Sequence, residues 1–234
     1  MNKLALITGA SKGIGRAIAE KFASEGIDLI ITSRGHADLN SIKKELEKSH
    51  GISVIVFAAD LSKKEEVKSF TDFVKSQERS LNILVNNAGT FIMGDLMTEP
   101  DGALESQIDT NLYSAYYTTR GLIGLIKESK QGHIFNICSI ASLQAYPNSG
   151  AYTISKFAML GFSKSLRAEL ISEKVKVTSI MPGATYTSSW ESSDLPESRF
   201  IKALDIADTV WAAYNLSPSA LVEDIVIRPV EGDI

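Results

Sequence analysis

The chain has 234 residues, 44% of them hydrophobic, and carries 24 Lys and Arg against 28 Asp and Glu, a net charge of −4. That length suits one α/β domain with a full core, and the composition argues against both a disordered chain and a membrane protein. The mild acidity gives no reason to expect nucleic acid as a partner, and the single cysteine, Cys138, excludes an intramolecular disulfide and fits a reducing cytoplasm.

At the N-terminus, MNKLALITG has too short an apolar core for a signal peptide and runs directly into the first predicted strand, 3–8. Gly9, Gly13 and Gly15 follow, then a helix at 14–25 in which Ile14, Ala17, Ile18 and Phe22 recur at helical spacing until Gly26 stops it. Such a turn uses glycine for positive φ and for close approach of backbone to ligand. The helix behind it offers free N–H groups and a positive dipole end to a pyrophosphate. The spacing is GxxxGxG rather than the GxGxxG dinucleotide fingerprint, so a βα turn with glycines for packing is the competing reading.

Further strands are predicted at 28–33, 53–59, 82–86, 133–139, 176–181 and 224–228, alternating with helices at 37–49, 63–79, 102–128, 150–173 and 204–215. Ser62 with Glu65 reads as a capping box for the helix at 63–79. The alternation predicts an α/β fold: a single-domain Rossmann-type doubly wound parallel sheet of about seven strands over 1–234, helices on both faces and ligand at the carboxyl ends. Thr8, Asn86, Ser139 and Met181 lie at those ends.

Three residues carry a chemistry. Tyr152 and Lys156 are four apart in a helical stretch, so both leave one face, and Ser139 ends the strand HIFNICS upstream. An ammonium beside a phenol favours the phenolate and makes the tyrosine a usable general acid or base. Ser139 would hold the oxygen that gains or loses the proton. Asp60–Leu61 end VIVFAADL, Asn86–Asn87–Ala88–Gly89 follow LNILV, Asn111 sits in IDTNLYS, and Pro182–Gly183 follow VKVTSIM. Together these motifs strongly resemble the short-chain dehydrogenase/reductase family, in order and spacing, over essentially the whole chain.

The resemblance implies Asn111, Ser139, Tyr152 and Lys156 as the catalytic set, with Asn111 bending its helix and holding a water that connects Lys156 to solvent. It implies a nicotinamide cofactor lying on Gly9, Ser11, Lys12, Gly13, Ile14 and Gly15. Asp60 and Leu61 would border the adenine; Asn87, Ala88 and Gly89 the adenosine ribose; Tyr152 and Lys156 the nicotinamide ribose. Pro182, Gly183, Thr185 and Thr187 would fix the carboxamide. In this family an acidic residue at the end of the second strand selects NAD. Here that strand ends in Ser33 and Arg34, and Lys12 lies in the glycine turn, so the cofactor is expected to be NADPH/NADP+. No metal is expected, since His36, His50 and His133 lack ligand spacing, and Cys138 reads as a small buried strand residue.

The expected reaction is hydride transfer to a small-molecule ketone or aldehyde. The segment 184–200 should form the substrate flap, with Trp190 able to stack on a flat heterocycle or to pack on the core. PGATYTSSW and IVIRPVEGDI look like the corresponding parts of bacterial sepiapterin reductases, which reduce a side-chain ketone on a pterin. The runner-up activities are a 3-oxoacyl reductase and a broad-specificity alcohol dehydrogenase. A non-catalytic NADP(H) sensor is disfavoured because all four catalytic positions are present. A homodimer or homotetramer is expected through helices 102–128 and 150–173, the first carrying Leu104, Ile108, Leu112, Tyr116, Leu122 and Leu125.

Overall fold

In the computed structural model, which describes residues 2–190 and 193–234, the strands are β1 (Leu4–Thr8), β2 (Asp28–Ser33), β3 (Val54–Ala58), β4 (Ile83–Asn86), β5 (His133–Ile137), β6 (Lys176–Pro182) and β7 (Asp224–Ile227). They form one parallel sheet in the order β3-β2-β1-β4-β5-β6-β7. The helices are α1 (Gly13–Ser24), α2 (His36–His50), α3 (Lys64–Lys75), α4 (Ala103–Ile108), α5 (Ser114–Lys127), α6 (Gly150–Leu170) and α7 (Ala203–Tyr214).

Alternation along the inner strands feeds the two larger of three apolar clusters among the described residues. In β1, Ala5 and Ile7 join Ile18, Phe22 and Val210 from α1 and α7, while Leu4 and Leu6 join Phe70, Leu122 and Ile126 from α3 and α5. Both faces of the strand are therefore apolar, as a parallel sheet covered on both sides requires. Fully burying each large side chain contributes about 1.5–3 kcal/mol.

Strand order reverses between β1 and β4, so the crevice for a ligand opens at their carboxyl ends. A buried polar row lies on neighbouring strands in register there. Asn86 donates to Thr119 Oγ1 (3.0 Å) and Asn136 Oδ1 (2.8 Å), Asn136 donates to Ser163 Oγ (3.0 Å), and Ser163 Oγ meets Ser179 Oγ at 2.9 Å. Such pairing is what makes a polar row tolerable in a core, and Asn86 Oδ1 is its one atom buried without a partner among the described residues.

Several expected boundaries move for local reasons. The helix expected at 102–128 is interrupted by a π-helical turn, Asp109–Tyr113. The strand expected to reach residue 139 ends at Ile137, because Ser139 begins a 3-10 turn at Ile140–Ser142. The helix expected at 63–79 stops at Lys75, and Glu78 adopts φ 51°. The Ser62–Glu65 capping box does not form. Ser62 Oγ donates instead to Asp60 Oδ1 (2.7 Å), and Glu66 Oε2 accepts from Asp60 N (2.7 Å). The helix at 150–173 is α-helical to Leu170 and ends in a 3-10 turn, Ile171–Glu173.

Candidate active site

The glycine turn is laced to the loop after β4. Thr8 Oγ1 accepts from Asn87 N and Ala88 N (both 2.9 Å), and Asn87 Nδ2 donates to Thr8 O (2.9 Å) and Gly9 O (3.1 Å). Gly13 has φ +58°, a conformation that strains any residue with a Cβ, and a Cβ on Gly15 would lie 2.4 Å from both Asn87 Nδ2 and Gly9 O. Ser11 and Ile14 are partly buried within this turn. No side chain caps α1 at Lys12, which leaves its N-terminal N–H groups for another acceptor. A narrow backbone cradle ending on an open helix N-terminus suits a pyrophosphate.

At the end of β2, Ser33 Oγ is buried without a hydrogen-bond partner, while Arg34 and Lys12 are exposed. A buried hydroxyl followed directly by a cation, Arg34, fits an anionic oxygen. Asp38 folds its carboxylate back over Gly35 in the first turn of α2 and lies off the strand end. Burial opposes ionisation of Asp60, but hydrogen bonds from Ser62 Oγ (2.7 Å) and Ser62 N (3.1 Å), with Lys63 and Arg34 nearby, outweigh it and hold the carboxyl below its usual range. Leu61 is buried in the core beneath.

Lys156 lies beside Tyr152 on α6 and meets Asn111 next to Gly89, while Ser139 heads the 3-10 turn that packs on α6. Ser139 Oγ accepts from Ala141 N (3.1 Å), and Ser142 Oγ accepts from Ser139 N (3.2 Å), a reciprocal cap that orients Ser139 and leaves its O–H to donate. Tyr152 sits in the first turn of α6 with Phe91 edge-on at 4.8 Å. Lys156 is buried; its Nζ donates to Ile137 O (3.0 Å) and lies 5.7 Å from the centre of the Tyr152 ring.

Asn111 occupies the π-turn. Its Oδ1 accepts from Thr90 N (2.7 Å), and its Nδ2 donates to Thr90 O (3.0 Å) and Ser155 Oγ (2.9 Å). Asn111 Oδ1 and Lys156 Nζ lie 3.1 and 3.7 Å from the point where a Cβ on Gly89 would sit. Glycine at 89 keeps open the space they both border.

Three contributors have no signal in the motifs. Gln107, fully buried one turn before Asn111, holds Ile92 by both its N–H (3.2 Å) and its C=O (3.4 Å). Asn111 and Gln107 thus grip alternate residues of 90–92 as a neighbouring strand would, which turns Phe91 the other way, onto Tyr152. Glu99 is the third: its Oε2 accepts from Ala151 N (3.2 Å) at the start of α6, where Ser149 makes no side-chain cap. Sequence reading had no means to find these, because each pairs residues from separate segments.

After β6, Gly183 N donates to Ile227 O (2.7 Å), and Thr185 Oγ1 donates to Gly183 O (3.0 Å). Pro182 ends the strand, and Thr187 Cγ2 lies 3.0 Å from the Cβ point of Gly13, so the root of the flap folds over the glycine turn. Trp190 is half-buried with its ring 5.2 Å from Phe200. Residues 191–192 of the expected flap lie outside the described residues. Cys138 is buried, which pushes its thiol up to about 12. It should therefore resist a thiol-exchange reagent in the native protein and react only on denaturation; rapid labelling of the folded chain would contradict this burial.

Residues 3–197 match the short chain dehydrogenase family. The chain belongs to the short-chain dehydrogenase/reductase family. Like other members of this family, it is an oxidoreductase. It is 34% identical to a sepiapterin reductase of Chlorobaculum tepidum over 100% of this chain and 99% of that protein. Two structures are similar throughout. An alcohol dehydrogenase of the archaeon Thermococcus sibiricus, complexed with 5-hydroxy-NADP, has a TM-score of 0.92 at 28% identity, covering 98% of this chain and 97% of its own. The L-sorbose reductase of Gluconobacter frateurii, complexed with NADPH and L-sorbose, has a TM-score of 0.89 at 27% identity, covering 97% and 95%.

Proposed function

We propose that residues 1–234 work as one NADPH-dependent carbonyl reductase, acting on a side-chain ketone of a flat heterocycle such as a pterin. The observation that carries the reaction is a buried ammonium (Lys156) facing the ring of a phenol (Tyr152) on α6, with a donor hydroxyl (Ser139) heading the 3-10 turn packed on that helix. NADP(H) is the cofactor: the cradle at Gly9, Gly13 and Gly15 takes the pyrophosphate, and the partnerless Ser33 hydroxyl with Arg34 and Lys12 takes the 2′-phosphate. The NADP-type ligands of the two structural relatives support this choice.

When bound, NADPH supplies the hydride that adds to the carbonyl carbon. Ser139 Oγ and Tyr152 Oη hold the carbonyl oxygen, and Tyr152 passes it a proton as negative charge develops. Lys156 stabilises the resulting phenolate. Asn111 and Lys156, facing the space that Gly89 keeps open, return the proton through a water.

A pterin is favoured over other ketones by the full-length similarity to the Chlorobaculum sepiapterin reductase and by exposed apolar side chains close to the site: Phe91 packs edge-on against Tyr152, Leu143 ends the turn that Ser139 begins, and Tyr186 belongs to the flap. Trp190 borders the same flap. Trp190→Ala should raise KM for sepiapterin by roughly several-fold to tenfold and affect a small aliphatic diketone much less. Because Trp190 also packs on Phe200, equal losses on both substrates would mean that the indole only supports the flap. Failure of the wild type to reduce sepiapterin would leave a general carbonyl reductase.

The protein works as a homodimer or homotetramer in the cytoplasm. Leu104, Tyr113 and Phe157 are exposed on α4, the π-turn and α6, giving apolar surface for a two-fold contact. Sedimentation at micromolar concentration should report a dimer or larger, and a monomer would overturn the assembly.

A further inference from the structure

At the amino-terminal ends of the strands, opposite the end where Ser139 lies, a cavity of about 280 Å³ opens beside the first residues of β5 and β6. Lys130, Lys174, Lys176 and Arg167 line it, and none of its lining residues is Asp or Glu. In a chain of net charge −4 that is a local inversion of sign. Arg167 is engaged by Asp224 (2.6 Å) and Glu223 (3.3 Å), so the available charge comes from the lysines. Lys130 and Lys174 make no ion pair among the described residues, and Lys176 Nζ meets only a carbonyl, Ser217 O (2.8 Å). The remaining wall is largely apolar, including Ile171, Leu216 and Leu221.

Two buried polar atoms belonging to the same wall lack partners: His133 Nδ1 and Tyr214 Oη. Their roles follow from the neighbouring bonds. Thr178 Oγ1 gives its proton to Val222 O (2.6 Å), so at its 2.8 Å contact with His133 Nε2 it accepts. That places the imidazole proton on Nε2 and leaves Nδ1 a bare acceptor. Burial, with Lys176 adding to it, lowers the His133 pKa to about 3, and burial raises the Tyr214 phenol to about 12, so both are neutral. The wall thus has one unused acceptor, one unused O–H and three cations around a small apolar space. Thr32 Oγ1, Asn86 Oδ1 and Thr118 Oγ1 are also buried without partners, and what sets this wall apart is that its two such atoms lie on residues lining a cavity with three cations.

We propose that this cavity is a second small-molecule site, separate from the catalytic crevice, for a compact organic carboxylate that bears a hydrogen-bond donor. Its carboxylate meets the lysines, its apolar body lies against Ile171 and Leu221, and its donor and acceptor atoms satisfy His133 Nδ1 and Tyr214 Oη. A cavity at the lower end of the usual range for ligand pockets limits the occupant to about one ring or its equivalent.

The test is calorimetry on the whole chain saturated with NADPH, with 4-hydroxybenzoate as probe and its methyl ester and benzoate for comparison. Saturable binding of 4-hydroxybenzoate is expected, with the ester at least about tenfold weaker because it has lost its charge. Benzoate, which lacks the donor, should be weaker by a smaller factor. Lys130→Ala with Lys174→Ala, both on exposed side chains, should weaken the probe by roughly tenfold without changing carbonyl reduction. Tyr214→Phe preserves the packing and should weaken it less. Tyr152→Phe should bind the probe as the wild type does, which separates this site from the reductase reading. Absence of saturable binding, equal affinity for the ester, or displacement of the probe by a carbonyl substrate would each overturn the proposal. So would a crystal of the probe complex with water alone at His133 Nδ1.

Discussion

Tyr152→Phe should lower turnover by at least about a hundredfold while NADPH still binds, since a positioned general acid contributes about 10²–10⁴-fold. The substitution keeps the ring, and with it the edge-on contact to Phe91 at 4.8 Å, so the fold and the crevice wall are preserved and only the proton is lost. Cofactor binding, followed by nicotinamide fluorescence, separates chemistry from affinity. Near-normal turnover would sink the assignment of Tyr152 as the acid. Lys156→Ala provides the complement. Its ammonium donates to Ile137 O and faces Tyr152, so removing it should damage turnover and cofactor affinity together.

Arg34→Ala should weaken NADPH binding by about 1.5–3 kcal/mol and leave NADH nearly unchanged, because only the 2′-phosphate distinguishes the two. The guanidinium is exposed, which favours the lower end of that range and makes the loss shrink as salt is added. Ser33→Ala removes the buried hydroxyl that has no partner in the protein and should act in the same direction with a smaller effect. A wild type that prefers NADH, or an Arg34→Ala variant that loses both cofactors equally, would remove the 2′-phosphate from this corner.

Much of this was legible in the residues themselves, because it depends on local chemistry. Periodic apolar runs in β1, α1 and β5 dictate a covered parallel sheet, and Gly13 and Gly15 announce a turn that no side chain could enter. The four-residue step from Tyr152 to Lys156 puts both on one helix face whatever surrounds them. Boundaries were less legible where competing hydrogen bonds decide them. Ser62 satisfies Asp60 instead of capping α3, and Ser139 turns away from β5 to cap its own 3-10 turn. Only tertiary packing could bring Gln107 and Asn111 onto the backbone of 90–92, seat Phe91 on Tyr152, or carry Glu99 to the N-terminus of α6. The same holds for the basic cavity, whose lysines, histidine and tyrosine come from separate turns, strands and a helix. The physical reason is common to these cases. A periodic pattern records which face of an element is buried, whereas the partner across a gap is chosen by the packing of segments far apart in sequence.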